Sequence, residues 1–174
     1  MDTGVCRVPI VPAAVLFDLA VGDAKVRPDA AMGYEACRNA AKFVEQGAFG
    51  AGTGATVGKL VPGTLPMPSG TGTASMTLAC GVTVGAIACV NAVGDVFDPH
   101  TGKTLACGHL ADGKPVLCES LLYGSQPVAE LLRFPKPTNT TIAVVATDAV
   151  LTKPQVNRLA TCAHDGFARA IRPV

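Results

Sequence analysis

Two consecutive segments carry the hydrophobic pattern of paired β-strands. Apolar and polar residues alternate through TASMTLAC (73–80), whereas VTVGAIACV (82–90) is almost continuously apolar. The first pattern is typical of a half-buried strand with Met76 and Leu78 on one face, and the second of a strand that is covered on both faces. Together they predict a hairpin that turns at 80–81.

A third strand is predicted near the end of the chain. The run from Ile142 to Ala146 is apolar and β-branched, as buried strands are. It follows Asn139, Thr140 and Thr141, so the strand is expected to begin at Thr140.

Two stretches repeat apolar residues every three to four positions and predict amphipathic helices. The first opens at Pro28-Asp29 and stops at Gly47, and the second begins at about Lys153 and keeps its apolar stripe through Ile171. Antiparallel strands with flanking helices predict an α+β layered sandwich, and 174 residues suffice for one domain.

The remaining segments are less regular. Val8 to Leu19 is apolar but contains two prolines, which favours an extended segment or an edge strand. Residues 98–114 hold one proline and three glycines and are expected to form a loop outside the core. For 116–122 a strand and a short helix both remain open.

Composition narrows the possible partners. With 49% hydrophobic residues, 16% charged residues and a mean hydropathy of +0.38, the chain is more apolar than a typical soluble domain. We therefore expect a subunit interface or further polypeptide to cover part of its surface, and a homo-oligomer. A net charge of +1 and 5% aromatic residues argue against nucleic acid as a partner. The longest apolar stretch, 78–90, contains glycines and is shorter than the ~18 residues of a membrane span, so no membrane is expected as a partner either.

The cysteines and histidines do not form a recognisable metal or disulfide pattern. Seven cysteines are an odd number and include no CxxC pair, and Asp2 stands where a signal peptide would be positive. We expect reduced core thiols in a cytoplasmic protein. His100, Cys107 and His109 lie near one another, but no third ligand follows at a zinc-site spacing, so we expect neither metal nor other cofactor.

A glycine-rich segment, GAFGAGTGATVGKL (47–60), resembles phosphate-binding loops only loosely. Gly50, Gly52 and Ala55 satisfy GxGxxG/A, but a helical pattern precedes them where a strand is required, and no acidic ribose ligand follows. The Walker pattern fails because Leu60 stands where Ser or Thr is needed.

Two other interpretations of this loop remain open. Its glycines allow tight packing of a turn against neighbouring backbone. Alternatively, they let the chain approach a substrate and deliver Lys59 to it.

The Asn139-Thr140 pair also has two interpretations. Most such pairs are polar turns that lead into a strand. If the 139–140 bond is cleaved, however, Thr140 gains an α-amine with a pKa near ~8 beside its own hydroxyl, so one residue supplies both nucleophile and general base. That chemistry needs no histidine.

Several segments together resemble the N-terminal-nucleophile hydrolases of the L-aminopeptidase/D-esterase family, which includes β-aminopeptidases and endo-type nylon-oligomer (6-aminohexanoate) hydrolases. The Asn-Thr junction is most similar to the nylon-oligomer branch, since other members carry serine as nucleophile. The matching segments, which run in family order, are IVPAAVLFDL (10–19), AMGYEACRNA (31–40), GAGTGATVGK (50–59), GTASMTLACGVTVGAIACVNAVGDV (72–96) and NTTIAVVATDA (139–149).

The resemblance implies a fold, an activity and a site. The fold is an αββα sandwich made as one precursor, which cleaves itself at Asn139-Thr140 into a large subunit containing 1–139 and a small subunit beginning with 140–174. Thr140 is implied as the nucleophile that hydrolyses a small peptide or amide through an acyl-threonine ester. Asn91 is implied to stabilise the oxyanion. Lys59 is implied to lower the pKa of the Thr140 amine.

Two departures from the family pattern matter. Phe17 stands where the nylon-oligomer branch carries a tyrosine. The family also continues beyond the equivalent of Val174 into a segment with acidic residues that orient the nucleophile, and it has a long region before the equivalent of Val8. We therefore expect 1–174 to be a single incomplete hydrolase domain, an internal piece of a longer enzyme.

Two functions from other classes remain as alternatives. A phosphate- or nucleotide-binding module would use the glycine-rich loop and would not depend on Thr140. A non-catalytic assembly protein would turn over no amide in any form.

Overall fold

The computed structural model describes residues 1–124 and 139–174, which form a mixed α/β structure with antiparallel sheets. Within this part of the chain, no helix is long and apolar enough to cross a membrane. The strands are β1 (Thr56–Val57), β2 (Met67–Pro68), β3 (Gly70–Thr77), β4 (Thr83–Val90), β5 (Asp95–Phe97), β6 (Thr104–Ala106), β7 (Gly108–His109), β8 (Pro115–Val116), β9 (Ile142–Thr147) and β10 (Ile171–Arg172); the helices are α1 (Ala30–Arg38), a 3-10 turn (Gly50–Gly52), α2 (Cys118–Leu122) and α3 (Lys153–Ala170).

The largest described sheet has the order β3-β4-β9, with both pairs antiparallel. The β3–β4 register runs from Gly70 opposite Val90 to Thr77 opposite Thr83. Gly81, with φ of +88°, lies in the connecting turn. The predicted hairpin is therefore confirmed. The third strand is also present, although β9 starts at Ile142, two residues after the predicted start.

Strand β9 is paired with β4 from Cys89 opposite Ile142 to Val84 opposite Thr147. Its other edge has no described strand beside it, because β9 ends the sheet order among the described residues. The prediction that this strand is buried is wrong for this chain, since three of its six residues are exposed.

The two predicted helices differ in how well their bounds were anticipated. Asp29 caps α1 by accepting a hydrogen bond from the Met32 amide at 2.8 Å, but the helix ends at Arg38 and does not reach Gly47. None of its residues is buried by the described part of the chain, so burial of an apolar face does not prolong the helix there. In α3 the start is confirmed, since Thr152 and Gln155 form a capping box directly before and within the first turn.

The three segments with irregular sequence patterns adopt different structures. Residues 8–19 form no strand, which corrects the edge-strand alternative. The segment 98–114 is not all loop, because it contributes β6 and β7. Residues 116–122 combine both alternatives, with the last residue of β8 followed by α2.

The core that the described residues form is small and lies at one end of the β3-β4-β9 sheet. Val57, Ala92 and Ile171 are buried together, and Val90, Val96, Ala106 and Phe167 pack against them. The pairing of β5 with β10 brings the end of α3 to this core. Met76 and Leu78 lie outside it at 68% and 45% exposure, so their predicted face is not buried by any described residue.

All seven cysteines are free, but only some belong to the core. Three are buried and four are exposed, which limits the predicted core thiols to the first group: Cys89, Cys107 and Cys118 are buried, and Cys6, Cys37, Cys80 and Cys162 are exposed.

Candidate active site

Asn91 joins three segments that are distant in sequence. It follows the last residue of β4 and is fully buried. Its side-chain oxygen accepts hydrogen bonds from the Thr56 amide at 3.1 Å and from Lys59 Nζ at 2.5 Å. Its side-chain nitrogen donates to the Phe17 carbonyl at 2.7 Å. The amide is thus held in one orientation, because the oxygen faces two donors and the nitrogen faces an acceptor.

Gly58 fixes the backbone that carries Lys59. It has φ of +72°, and its amide donates to the Gly94 carbonyl at 2.9 Å while the Lys59 amide donates to Val93 at 2.8 Å. A Cβ at Gly58 would collide with the Cys107–Gly108 backbone. Only glycine therefore allows this segment to lie against both neighbours and to direct Lys59 toward Asn91.

The environment of Lys59 lowers its pKa. Partial burial penalises the charged form and lowers the pKa of the Lys59 amine from 10.5 to about 8. At neutral pH the group is mainly protonated. The Lys59 amine is therefore a cation near physiological pH, and a modest rise in pH is enough to deprotonate it.

The Asn139-Thr140 pair lies where β9 approaches the end of β4. Continuing the observed register by two residues places Thr140 opposite Asn91. The contact that the structure describes is one residue further on, since the Asn91 amide donates to Thr141 Oγ1 at 3.2 Å. The start of β9 thus contacts the Asn91 backbone, and the residue that makes the hydrogen bond is Thr141, the neighbour of Thr140.

Asn139 itself is in an unusual environment. The residue is partly exposed, but its side-chain oxygen is buried and has no hydrogen-bond partner among the described residues. A buried acceptor without a donor costs free energy that a bound group can recover. The polar turn before β9 is therefore not a fully satisfied surface turn.

Other glycines of the loop are also required by packing. A Cβ at Gly52 would collide with the Thr71 amide, and a Cβ at Gly54 would collide with the Asp18 carboxylate. Close approach of backbone and side chains explains these positions, as it does for Gly58. The tight-packing interpretation of 47–60 therefore accounts for these glycines without a phosphate, and the delivery of Lys59 to a substrate stays a prediction.

Several groups of the site have no sequence signal. The Phe17 carbonyl and the Thr56 amide are backbone groups, so their residue types do not mark them. At position 17 a phenylalanine replaces the expected tyrosine, yet the main chain still holds Asn91. Thr141 was visible only as one of three polar residues, Asn139, Thr140 and Thr141, that precede the strand.

A buried pair formed by a carboxylate and a thiol lies next to the backbone at 93–94, which binds the Gly58 and Lys59 amides. Asp95 is fully buried and accepts hydrogen bonds from the Cys118 amide at 2.6 Å and from Cys118 Sγ at 3.1 Å. Burial, followed by the nearby Asp95, raises the pKa of the Cys118 thiol to about 12. This thiol is therefore a poor nucleophile, and the pair holds the start of α2 next to Asp95 and Val93.

The histidine cluster does not assemble into a site. No group of three or more His, Cys, Asp or Glu residues that could hold a metal occurs within 1–124 and 139–174. Burial also raises the pKa of the Cys107 thiol, the predicted neighbour of His100 and His109.

Comparison with known proteins defines the class. The model for peptidase family S58 matches residues 2–174, so the chain belongs to that family of peptide hydrolases. An uncharacterized aminopeptidase of Mycobacterium tuberculosis is 47% identical over 176 residues, which cover 99% of this chain and 48% of that protein. One of Mycobacterium leprae is 44% identical over 179 residues, covering 95% of this chain and 46% of its own length.

These matches confirm the resemblance to an aminopeptidase family. The narrower similarity to nylon-oligomer hydrolases stays a prediction. The chain spans about half the length of the curated relatives it matches.

Proposed function

We propose that the protein is a self-processing amidohydrolase or aminopeptidase that cleaves small peptide or amide bonds through an acyl-Thr140 ester. The observation that carries the proposal is the hydrogen bond between Lys59 and Asn91, formed beside the polar start of β9. Membership of a peptidase family supports the reaction class.

In the proposed reaction Thr140 performs two tasks. Its free α-amine takes the hydroxyl proton while Oγ1 attacks the substrate carbonyl, and the amine then passes the proton to the leaving amine. Water hydrolyses the resulting ester and regenerates the hydroxyl. Asn91 donates to the oxygen on which negative charge develops, and the Lys59 cation favours the neutral form of the nearby α-amine.

The same hydroxyl creates the active form. Thr140 Oγ1 attacks the Asn139 carbonyl, an N-to-O acyl shift gives an ester, and water releases the new amino terminus. The large subunit then contains 1–139 and the small subunit begins with 140–174, within an αββα sandwich. The buried Asn139 oxygen, which has no hydrogen-bond partner within 1–124 and 139–174, supports a junction whose environment changes on cleavage.

The substrate class is a small peptide, an amide or a nylon-type oligomer. The match to relatives about twice as long and the many exposed apolar side chains support an active unit with additional polypeptide and a homo-oligomer. The proposed cytoplasmic location rests on the free cysteines. The proposed reaction needs no cofactor, because nucleophile and base belong to one residue.

Mass spectrometry and kinetics of the full-length protein test the proposal together. Wild type should yield a fragment beginning TTIAVVATDA, and Thr140→Ala should stay uncut and hydrolyse no aminoacyl p-nitroanilide. Thr161→Ala, at an exposed threonine of α3, is the control and should still be cleaved at the same bond. Turnover by Thr140→Ala would refute the nucleophile, and a fully active intact wild type would refute self-processing.

A further inference from the structure

Thr141 attaches the start of β9 to the residue that carries the proposed oxyanion donor. Its Oγ1 accepts a hydrogen bond from the Asn91 backbone amide at 3.2 Å, and the contact is partly buried. The strand pairing itself begins one residue later, with Ile142 opposite Cys89. The Thr141 hydroxyl therefore extends the attachment of β9 to the end of β4 by one residue, in the direction of Thr140.

Asn91 is bonded through different atoms to both parts of the proposed site. Its backbone amide binds Thr141, while its side-chain oxygen accepts from Lys59 Nζ and from the Thr56 amide. The side chain is thereby held in one orientation relative to its own backbone. A group that binds the Asn91 backbone amide is consequently held at a defined distance from the oxyanion donor, and Thr140 is covalently joined to such a group.

Self-cleavage makes this attachment more important. In the uncut chain Thr140 is joined to a residue on each side, whereas after cleavage it is the free end of a strand. Among the described residues β9 pairs with β4 alone. The pairing leaves two residues before Ile142 outside the ladder, about 6.6 Å of extended chain at ~3.3 Å per residue.

Such a chain end is poorly ordered unless it is tied down. Catalysis requires the attacking oxygen to be placed accurately, and a displacement of about 1 Å costs about 100-fold in rate. A hydrogen bond at residue 141 restrains the chain directly beside the nucleophile.

We propose that Thr141 is a positioning residue: its hydroxyl, held by the Asn91 amide, keeps the free amino-terminal Thr140 aligned with the oxyanion donor after self-cleavage. This inference rests on the proposed function and adds to it a residue that acts through Thr140. The hydroxyl is the group that matters, because valine has the same branched shape and is equally suited to a strand.

Three variants of the full-length protein separate this role from the general stability of β9. Thr141→Val keeps the shape and loses the acceptor, and Thr141→Ser keeps the acceptor. Thr147→Val is the matched control, since Thr147 Oγ1 donates to the Thr83 carbonyl at 2.8 Å at the other end of the same strand. Mass spectrometry measures cleavage, thermal unfolding shows that each variant is folded at the assay temperature, and kcat and KM are measured with the aminoacyl p-nitroanilide that wild type hydrolyses fastest.

Thr141→Val should still be cut at the 139–140 bond, because Thr140 Oγ1 attacks a carbonyl to which its own residue is covalently joined. Its kcat should fall about 10- to 100-fold with KM nearly unchanged, since the substrate is bound by other groups and only the placement of the nucleophile is lost. Thr141→Ser should restore most of kcat, and Thr147→Val should keep the wild-type value.

Wild-type kcat in Thr141→Val, an equal loss in Thr147→Val or in Thr141→Ser, or a loss confined to KM would overturn this inference alone. An uncut Thr141→Val would also overturn it, because the hydroxyl would then serve folding or cleavage and not the free chain end. The proposed function itself fails on different results: a wild type that hydrolyses no aminoacyl p-nitroanilide, or a Thr140→Ala variant that remains active.

Discussion

Lys59 Nζ donates a hydrogen bond of 2.5 Å to the side-chain oxygen of Asn91, 32 residues away in sequence. A cation on the amide oxygen withdraws electron density from the amide and makes its N–H groups stronger donors. In the proposed mechanism Lys59 therefore acts on the reaction through Asn91 as well as through its charge near the junction. The two residues form one functional unit in the proposed mechanism.

The first prediction concerns Asn91. Removing its donor by Asn91→Ala should reduce kcat by an amount equivalent to about 2.7–4 kcal/mol of transition-state stabilisation, with little change in KM. Steady-state kinetics of the matured full-length protein measure the two constants. Asn157→Ala, at an exposed asparagine of α3, is the control. A change confined to KM would contradict an oxyanion role.

The second prediction follows from the lowered pKa of Lys59. Its amine has a folded-state pKa of about 8 against 10.5 when unfolded, so between these values the unfolded chain binds more protons. Stability contributed by this group therefore rises with pH from about 8 to about 10.5 and is lost as pH falls through about 8. Relative to Lys59→Met, wild type should gain unfolding free energy between pH 7.5 and pH 9.5.

Urea unfolding at the two pH values measures this difference. Lys103→Met, at an exposed lysine, should show the same stability relative to wild type at both. A wild-type advantage over Lys59→Met that shrinks with rising pH would contradict the direction of the pKa shift.

Local sequence patterns predict some elements around this site but not what covers them. Alternation in 73–80 identifies the two faces of β3, and the apolar spacing that begins near Lys153 locates the start of α3, because both signals are local. Met76 is nevertheless 68% exposed. Alternation shows which residues share a face of the strand, but it does not show whether another element covers that face. The Phe17 carbonyl was not predicted because a backbone group can serve from any residue type.

The third prediction compares two glycines with similar backbone angles. Gly58 and Gly63 have φ of +72° and +79°, but a Cβ collides with the Cys107–Gly108 backbone only at Gly58 and meets nothing within 4 Å at Gly63. Both alanine variants carry the strain of positive φ, about 1 kcal/mol. Gly58→Ala should lose more stability and most of its amide turnover, because Lys59 shifts away from Asn91. Equal effects in thermal unfolding and turnover would show that the collision is relieved elsewhere.

The fourth prediction concerns the buried pair Asp95 and Cys118. Asp95→Ala leaves the buried Cys118 amide without an acceptor and should reduce the unfolding free energy by about 1–3 kcal/mol. Cys118→Ala removes only the weak thiol donor and keeps the backbone amide. Apart from the cost of the small cavity, it should therefore reduce the unfolding free energy by less than Asp95→Ala does. Denaturant titrations of the two variants rank these costs. A larger loss for Cys118→Ala would show that packing of the sulfur, and not the carboxylate, holds the start of α2.

The fifth prediction is that residues 1–174 alone associate and turn over amide substrates far more slowly than a longer form with the length of the mycobacterial relatives. Among the described residues β9 lies at a sheet edge, and Val144 and Val150 on and beside it are 64% and 101% exposed. Such edges and apolar side chains promote association unless other polypeptide covers them. Asp148 cannot replace the acidic residues expected to orient Thr140, since it already accepts the Thr83 amide at 2.8 Å. Light scattering and kcat/KM of the two forms decide the matter: a monodisperse 1–174 polypeptide with the activity of the longer form would show that these residues already contain the complete catalytic unit.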